Sequence, residues 1–232
     1  MFSKFDLKSG FWQFKIAEED RYKTAFILPH GHYEWNVMPM GLAWAPTEFQ
    51  QWGERTFSHF QDFILIYIDD ILIFSKTVKD HLQHLQQFIQ ICQQNSLVLS
   101  AKKMVIATPQ VEFLGISICR GQITMQSHVL DKLKEFPDEL QTSHDIHSFL
   151  GCSHRLVQHY PWLSTDTLAI RKSLVKGVVQ WSSAATKAVR TIKDMIVRLP
   201  PLKLPSDNTV LVVYTDASQF AWGWCSCRSR RS

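Results

Sequence analysis

Residues 63–74 read FILIYIDDILIF. Every residue is apolar or aromatic except an adjacent pair of acids, Asp69 and Asp70, set in the middle. The apolar halves have strand composition and strand length, so the stretch reads as two strands flanking the acids. A plain hairpin turn is the bland reading, because aspartate is common in turns. A two-residue turn, however, favours Asn-Gly or Asp-Gly, since its second residue wants a positive φ. Two neighbouring carboxylates also repel each other and are costly beside an apolar core unless a cation neutralises them. A hard divalent ion with oxygen ligands does that.

One acidic pair seldom completes a magnesium site, and FSKFDLKSGF at 2–11 offers a third carboxylate. Asp6 ends a short apolar strand and precedes a Lys-Ser-Gly turn. If that strand lies beside the hairpin, three carboxylates meet at one rim of a sheet. Such a set suits two-metal phosphoryl or nucleotidyl transfer.

The remaining composition sets bounds. The chain has 232 residues, 45% hydrophobic and 20% charged, with 15 Phe and 8 Trp, ample material for a core. A net charge of +4 is compatible with a polyanionic partner without requiring one. The five cysteines follow no framework spacing, which points to a reducing, intracellular setting. No apolar run reaches membrane-spanning length and no secretory leader is legible, so no membrane association is expected. His81 and His84 lie one helical turn apart. With Leu82, Leu85, Ile89 and Cys92 taken as the buried stripe, both histidines are expected on a solvated face.

Along the chain, residues 1–40 read as β-rich, with FWQFKIA alternating in strand fashion. Residues 46–60 read as a helix with Pro46 in its first turn, and 79–95 as an amphipathic helix. LVLSAKKMVIA, VEFLGISIC and GQITM read as further strands. Beyond about residue 127 the texture becomes helical: HVLDKLKEFP, then SHDIHSFLGCSHRLVQHY with Ser143 as N-cap, then WSSAATKAVRTIKDMIVRL. PPLKLPSD reads as a Pro-rich linker, and TVLVVYTDASQFAWGWCS as a new β segment.

Several motifs together carry a resemblance. YIDD at 67–70 resembles the YxDD signature of reverse transcriptases, and FDLKSGF at 5–11 their first catalytic motif. MPMGLAWAPTEFQ at 38–50 resembles the nucleotide-pocket motif and VEFLG at 111–115 the primer grip, in the family's order and spacing. FPDEL, IHSFLG and IRKSL resemble thumb and connection, and VVYTDAS the first strand of ribonuclease H. The pattern is similar to the polymerases of plant pararetroviruses (caulimovirus-like) and, next, of long-terminal-repeat retrotransposons.

The resemblance implies an α+β fold: a palm of antiparallel sheet with packed helices, a helical thumb and connection, and incomplete fingers. It implies palm with partial fingers over 1–122, thumb over 123–175, connection and linker over 176–207, and the start of a ribonuclease H domain over 208–232. It implies RNA- and DNA-directed DNA synthesis on a template–primer, from deoxynucleoside triphosphates, with two Mg²⁺ ions (Mn²⁺ as a substitute). Asp6, Asp69 and Asp70 would be catalytic metal ligands, Asp70 the looser one, with the Leu7 carbonyl completing a shell. Phe11, Met40, Gly41 and Lys102 (or Lys103) would line the nucleotide site. Phe49, Gln50, Tyr67, Phe113, Leu114 and Gly115 would lie along template and primer. His154, Arg155, Arg171 and Lys172 are available to the duplex. Asp216 would be the first ribonuclease H acid.

Departures from the family pattern set further expectations. The fingers segment that precedes the first motif in the family has no counterpart, so its cationic triphosphate clamp is expected to be missing and apolar surface to be exposed. Trp44 replaces the Asn of GLxNAP and is expected to disturb the helix start or the pocket floor. Arg155 replaces an aromatic. The ribonuclease H match stops after Asp216, so that activity is not expected. The alternative to a polymerase is an inactive remnant of an integrated element that binds nucleic acid without sequence preference.

Overall fold

The acidic hairpin forms one side of a four-stranded antiparallel sheet. In the computed structural model, which describes residues 1–175, 178–204, 209–217 and 222–230, β1 (Phe2–Asp6), β4 (Ile64–Tyr67), β5 (Asp70–Phe74) and β6 (Val105–Thr108) run in the order β4-β5-β1-β6. The strand carrying Asp6 therefore pairs with the strand carrying Asp70, and the two acids sit directly opposite each other. This is one of two compact units, Met1–Phe113.

Side-chain alternation sorts the sheet into faces. Phe5, Ile71 and Ile73 join a core with Phe49 of α1 (Ala45–Thr56), Phe57 just past its end, and Phe88 and Ile91 of α2 (Val78–Gln94). Each such large side chain contributes roughly 1.5–3 kcal/mol on burial. Helix α2 starts at Thr77, whose hydroxyl oxygen accepts from the Asp80 N–H at 3.1 Å and whose hydroxyl donates to the Asp80 carboxylate at 2.7 Å. That satisfies one of the orphan donors of the first turn. Helix α1 has no side-chain cap, because Trp44 occupies the N-cap position. The indole is 74% exposed and the helix begins regardless, so the expected disturbance is confined to a missing cap.

The structure corrects the reading of α2. His81 is buried, while Leu82 and Ile89 are exposed. The inward stripe is His81, Phe88, Ile91 and Cys92, again at helical spacing. The imidazole has partners on both sides: Nε2 lies 2.8 Å from Ser3 Oγ and Nδ1 lies 2.8 Å from Ser75 Oγ, which also lies 2.8 Å from His84 Nδ1. Ser75 has one hydroxyl proton, so at least one of those Nδ1 atoms is a donor. Burial holds the His81 imidazole below its ordinary pKa, in the neutral form.

FWQFKIA is likewise not a strand. Gly10–Gln13 form a 3-10 turn, and only Lys15 makes a bridge, to Val37. The i,i+3 spacing of Phe11 and Phe14 explains this, since both rings pack edge-on against Phe49. A short hairpin, β2 (Phe26–Leu28) and β3 (Gly31–Tyr33), follows. Segment 12–44 leaves Trp12, Phe26, Ile27, Tyr33, Met40 and Trp44 exposed. Strand β7 (Gln110–Phe113) ends the unit.

The second unit, Leu114–Ser232, has its own core. β8 (Ile116–Cys119) and β9 (Gln122–Met125) form a hairpin whose turn residues, Arg120 and Gly121, both have positive φ. Helices α3 (Ser127–Glu135), α4 (Ser143–His154), α5 (Leu163–Lys172) and α6 (Ser183–Ile196) bury Leu133, Ile146, Phe149, Ile170, Val189 and Ile192 together. The N-cap of α4 is Thr142, not Ser143, and it repeats the Thr77 arrangement with Asp145. Helix α5 has no counterpart in the sequence reading. Its buried face is Leu163, Thr167 and Ile170, with the Thr167 hydroxyl donating to the Leu163 carbonyl. Asp138 of FPDEL accepts from Lys193 (2.7 Å) and Arg190 (2.8 Å) of α6, and the Lys193 bond leads in holding its carboxyl below the ordinary range. β10 (Leu174–Val175) pairs with β11 (Val178–Val179). The Pro-rich stretch is more than a linker, since β12 (Leu202–Lys203) pairs with β9; residues 205–207 of it lie outside the described ones. β13 (Thr209–Ala217) and β14 (Trp222–Arg230) pair as an antiparallel ribbon. Among the described residues no helix is long and apolar enough to cross a membrane.

Candidate active site

The hairpin turn consists of Ile68 and Asp69, with Tyr67 and Asp70 as the last cross-strand pair. Asp70 is thus the first residue of β5, and the turn is Ile-Asp, not Asp-Asp. Ile68 has φ +52°, a costly conformation for a β-branched residue, by roughly 1–2 kcal/mol. Two contacts over-determine it. The Leu7 N–H donates to the Asp69 carbonyl at 3.2 Å. From α1, the Gln50 side chain accepts from the Ile68 N–H at 2.7 Å and donates to the Ile66 carbonyl at 3.2 Å.

The first motif wraps the same turn. Asp6 ends β1, Ser9 takes a left-handed φ of +52°, and Gly10 is buried against the hairpin. A Cβ at Gly10 would stand 3.1 Å from Phe49 Cζ and 3.3 Å from Asp69 Cβ, so a larger residue would have to push these side chains aside by a few tenths of an ångström. The Gln13 amide ties this loop to residue 98, donating to the Lys8 and Val98 carbonyls and accepting from the Val98 N–H.

Charge balance around the acids comes from lysines. Lys103 Nζ donates to both Asp6 carboxylate oxygens, at 3.2 and 3.1 Å. Lys4, on the same sheet face as Asp70, pairs with it at 3.1 Å. Asp69 has no such cation. Burial first, then the charges of Asp6 and Asp70, push its pKa above the ordinary 3.8, with its own backbone hydrogen bond and the Lys103 charge pulling the other way. Lys103 is held above its usual value, chiefly by the hydrogen bond to Asp6.

The sheet therefore brings Asp6, Asp69 and Asp70 to one rim. Their hard oxygen donors suit a divalent cation, and the repulsion felt by Asp69 is what a cation would relieve. As placed, Asp6 and Asp70 lean on lysines, and among the described residues no three acidic, histidine or cysteine side chains are gathered as a ready metal cage. Leu7 is buried beside the rim.

Other expected site residues distribute as follows. Phe11 is half-buried, its ring 5.1 Å from Phe49. Met40 is exposed, and Gly41 has φ +94° with open space around it, so its glycine serves conformation and not close packing. Lys103, not Lys102, carries the contact to the acids. Phe49 is buried under Phe11, Phe14 and Trp52, which corrects its expected place along the template: it supports the site from below. Gln50 faces the hairpin. Tyr67 is exposed. Phe113 is buried in the first unit, with Lys4 Nζ 5.8 Å from its ring centre. Leu114 and Gly115 open the second unit, both with positive φ, and the Arg155 guanidinium lies against Gly115. His154, Arg155, Arg171 and Lys172 are exposed on the second unit. Asp216 lies on β13, opposite Gly223 in the register. The sequence reading missed Gln13 and Lys4, and it missed the bracing contact of Gln50. An amide or a lysine gives no periodic signal, so only the pairing of distant segments reveals these roles.

A family model described as "Reverse transcriptase (RNA-dependent DNA polymerase)" matches residues 1–118. The enzymatic polyprotein of cauliflower mosaic virus (strain Strasbourg) is 38% identical over 224 residues, covering 96% of this chain and 33% of the polyprotein. Polyprotein P3 of Commelina yellow mottle virus is 39% identical over 225 residues, covering 96% of the chain and 12% of the relative. The genome polyprotein of Petunia vein clearing virus (isolate Shepherd) is 36% identical over 222 residues, covering 96% and 10%. The chain spans a third or less of the length of these relatives. Among solved structures, the foamy viral protease-reverse transcriptase in complex with RNA/DNA hybrid shares the fold, with a TM-score of 0.80 at 24% identity, covering 98% of this chain and 31% of that one.

Proposed function

This chain belongs to the reverse transcriptase family, and from that premise we propose that it adds deoxynucleotides to a primer 3′-hydroxyl, copying an RNA or DNA template. The observation that carries this reading is the direct opposition of Asp6 and Asp70 across β1 and β5, with Asp69 tied by its carbonyl to Leu7.

Asp6 and Asp69 would hold two Mg²⁺ ions between them, with Asp70 a looser ligand and the Leu7 carbonyl a further oxygen. The bound ions would lower the pKa of the primer hydroxyl and neutralise charge on the triphosphate and its leaving group. The chain's own residues do the rest. Lys103 and Lys4 balance the charge of Asp6 and Asp70; with cations held by the acids, Lys103 would be available to the leaving phosphates. Phe11, supported by Phe49, limits space under the incoming sugar. Met40 and Gly41 flank the base, and Tyr67 the primer end. Phe113, Leu114 and Gly115 bear on the primer backbone. The second unit's exposed His154, Arg155, Arg171 and Lys172 favour phosphate contact without base readout. The comparison with a polymerase solved on an RNA/DNA hybrid supports a hybrid duplex as partner. The likeness of VVYTDAS supports reading β13, with Asp216, as the start of a ribonuclease H fold.

Primer extension on a homopolymer template with Mg²⁺ tests the reading. The chain should extend the primer and its Asp69→Asn/Asp70→Asn double variant should not. Extension no greater than that of the variant would overturn it. Salt-sensitive binding without incorporation would then favour the non-catalytic reading.

A further inference from the structure

We propose that Gln50 is a positioning residue: its side-chain amide holds the strained Ile68–Asp69 turn and thereby sets the placement of the Asp69 carboxylate for cation binding. The inference rests on the polymerase reading above for its catalytic consequence, and on hydrogen bonds alone for its structural half.

The amide is fully engaged. Oε1 accepts from the Ile68 N–H at 2.7 Å, and Nε2 donates to the Ile66 carbonyl at 3.2 Å and to Glu54 Oε1 at 3.0 Å. Both amide hydrogens have acceptors, leaving no donor for a template strand. The reverse orientation of the amide would set a donor against the Ile68 N–H, so the partners fix which end is oxygen. The contact ends on the residue of unfavourable φ itself: the amide holds the Ile68 N–H and, two residues before it, the Ile66 carbonyl. Removing it frees the turn to relax toward ordinary φ values, which moves the next residue, Asp69. Helix α1 keeps the amide in place, since Phe49, the neighbouring residue, is buried and Gly53, one turn on, lies close against Ile66.

The test uses the full chain and its Gln50→Leu and Gln50→Glu variants. Leu keeps volume and removes every hydrogen bond; Glu keeps the acceptor for Ile68. Amide hydrogen exchange at Ile68 should quicken roughly ten-fold in Gln50→Leu and return toward the parent rate in Gln50→Glu. Mn²⁺ binding, read by electron paramagnetic resonance, should weaken roughly five- to ten-fold in Gln50→Leu. In primer extension, kcat should fall by a similar factor while template–primer affinity holds. Unchanged Ile68 exchange and unchanged Mn²⁺ affinity in Gln50→Leu would overturn the proposal. So would weakened template–primer affinity with kcat intact, which would place Gln50 on the template. A parent chain that binds Mn²⁺ yet extends no primer would overturn the polymerase reading alone, leaving the exchange and Mn²⁺ results to decide the role of Gln50.

Discussion

A methyl group at position 10 would press on Phe49 and on the Cβ of Asp69 at once, at 3.1 and 3.3 Å. Gly10→Ala should therefore cost about 1–3 kcal/mol by overpacking and lower primer extension further than its stability loss explains, because the displaced group is one of the three acids proposed to hold the cations. Thermal unfolding and extension rates measured together check this. Asp69 itself has a pKa raised in the folded chain. The stability contributed by its proton is fully present below the ordinary carboxylate value and is lost as pH rises through the raised one. At neutral pH the ionised acid therefore destabilises the fold. Asp69→Asn should raise the unfolding midpoint at pH 7 and lose that advantage in acid, measured by denaturant melts across pH. At this scale the acids were legible in the sequence, since two charges interrupt an apolar run. Gln13, and the contacts made by Gln50 and Lys103, were not, because their partners lie 18 to 97 residues away.

The elements were legible where hydrophobic periodicity was strong, as in the acidic hairpin and α1. Helix α2 shows where that signal fails. The periodic stripe runs through Leu82 and Ile89, yet a histidine takes the inward place because Ser3 and Ser75 supply partners that no local pattern announces. The consequence is measurable. With His81 held neutral by burial, its folded pKa lies below the ordinary 6.5. The associated stability is present above the ordinary value and is lost as pH falls from it toward the folded one. The unfolding midpoint of the first unit should drop on acidification below about pH 6.5. His81→Gln should cost about 1–3 kcal/mol at neutral pH and flatten that dependence. A decline equally steep in the variant would exclude His81 as its source. The 3-10 turn at Gly10–Gln13 was misread for a related reason: Phe11 and Phe14 share Phe49 as a partner, and that contact outweighs the local alternation.

Over the whole molecule, two cores serve two tasks. The first unit carries the acidic rim, and the second offers exposed cations on a helical body built around Phe149, Ile170 and Ile192. Phe149→Ala should cost about 3–5 kcal/mol, with hydrogen exchange rising across α3 to α6. The order of motifs made the family legible, because each motif marks a place where chemistry restricts residue choice. The division into units was less so, since the boundary at Phe113 and Leu114 runs through VEFLG, a single motif in sequence. Asp6, Asp69 and Asp70 are proposed as one catalytic centre in this chain. Mg²⁺-dependent single-nucleotide incorporation on an RNA template, with Asp6→Asn, Asp69→Asn and Asp70→Asn compared one by one, tests it most directly. The account predicts losses of roughly a thousand-fold, about 4 kcal/mol of barrier, for Asp6 and Asp69 and a smaller loss for Asp70. Incorporation that survives the Asp6 or the Asp69 substitution, or that is absent from the parent chain, would contradict it.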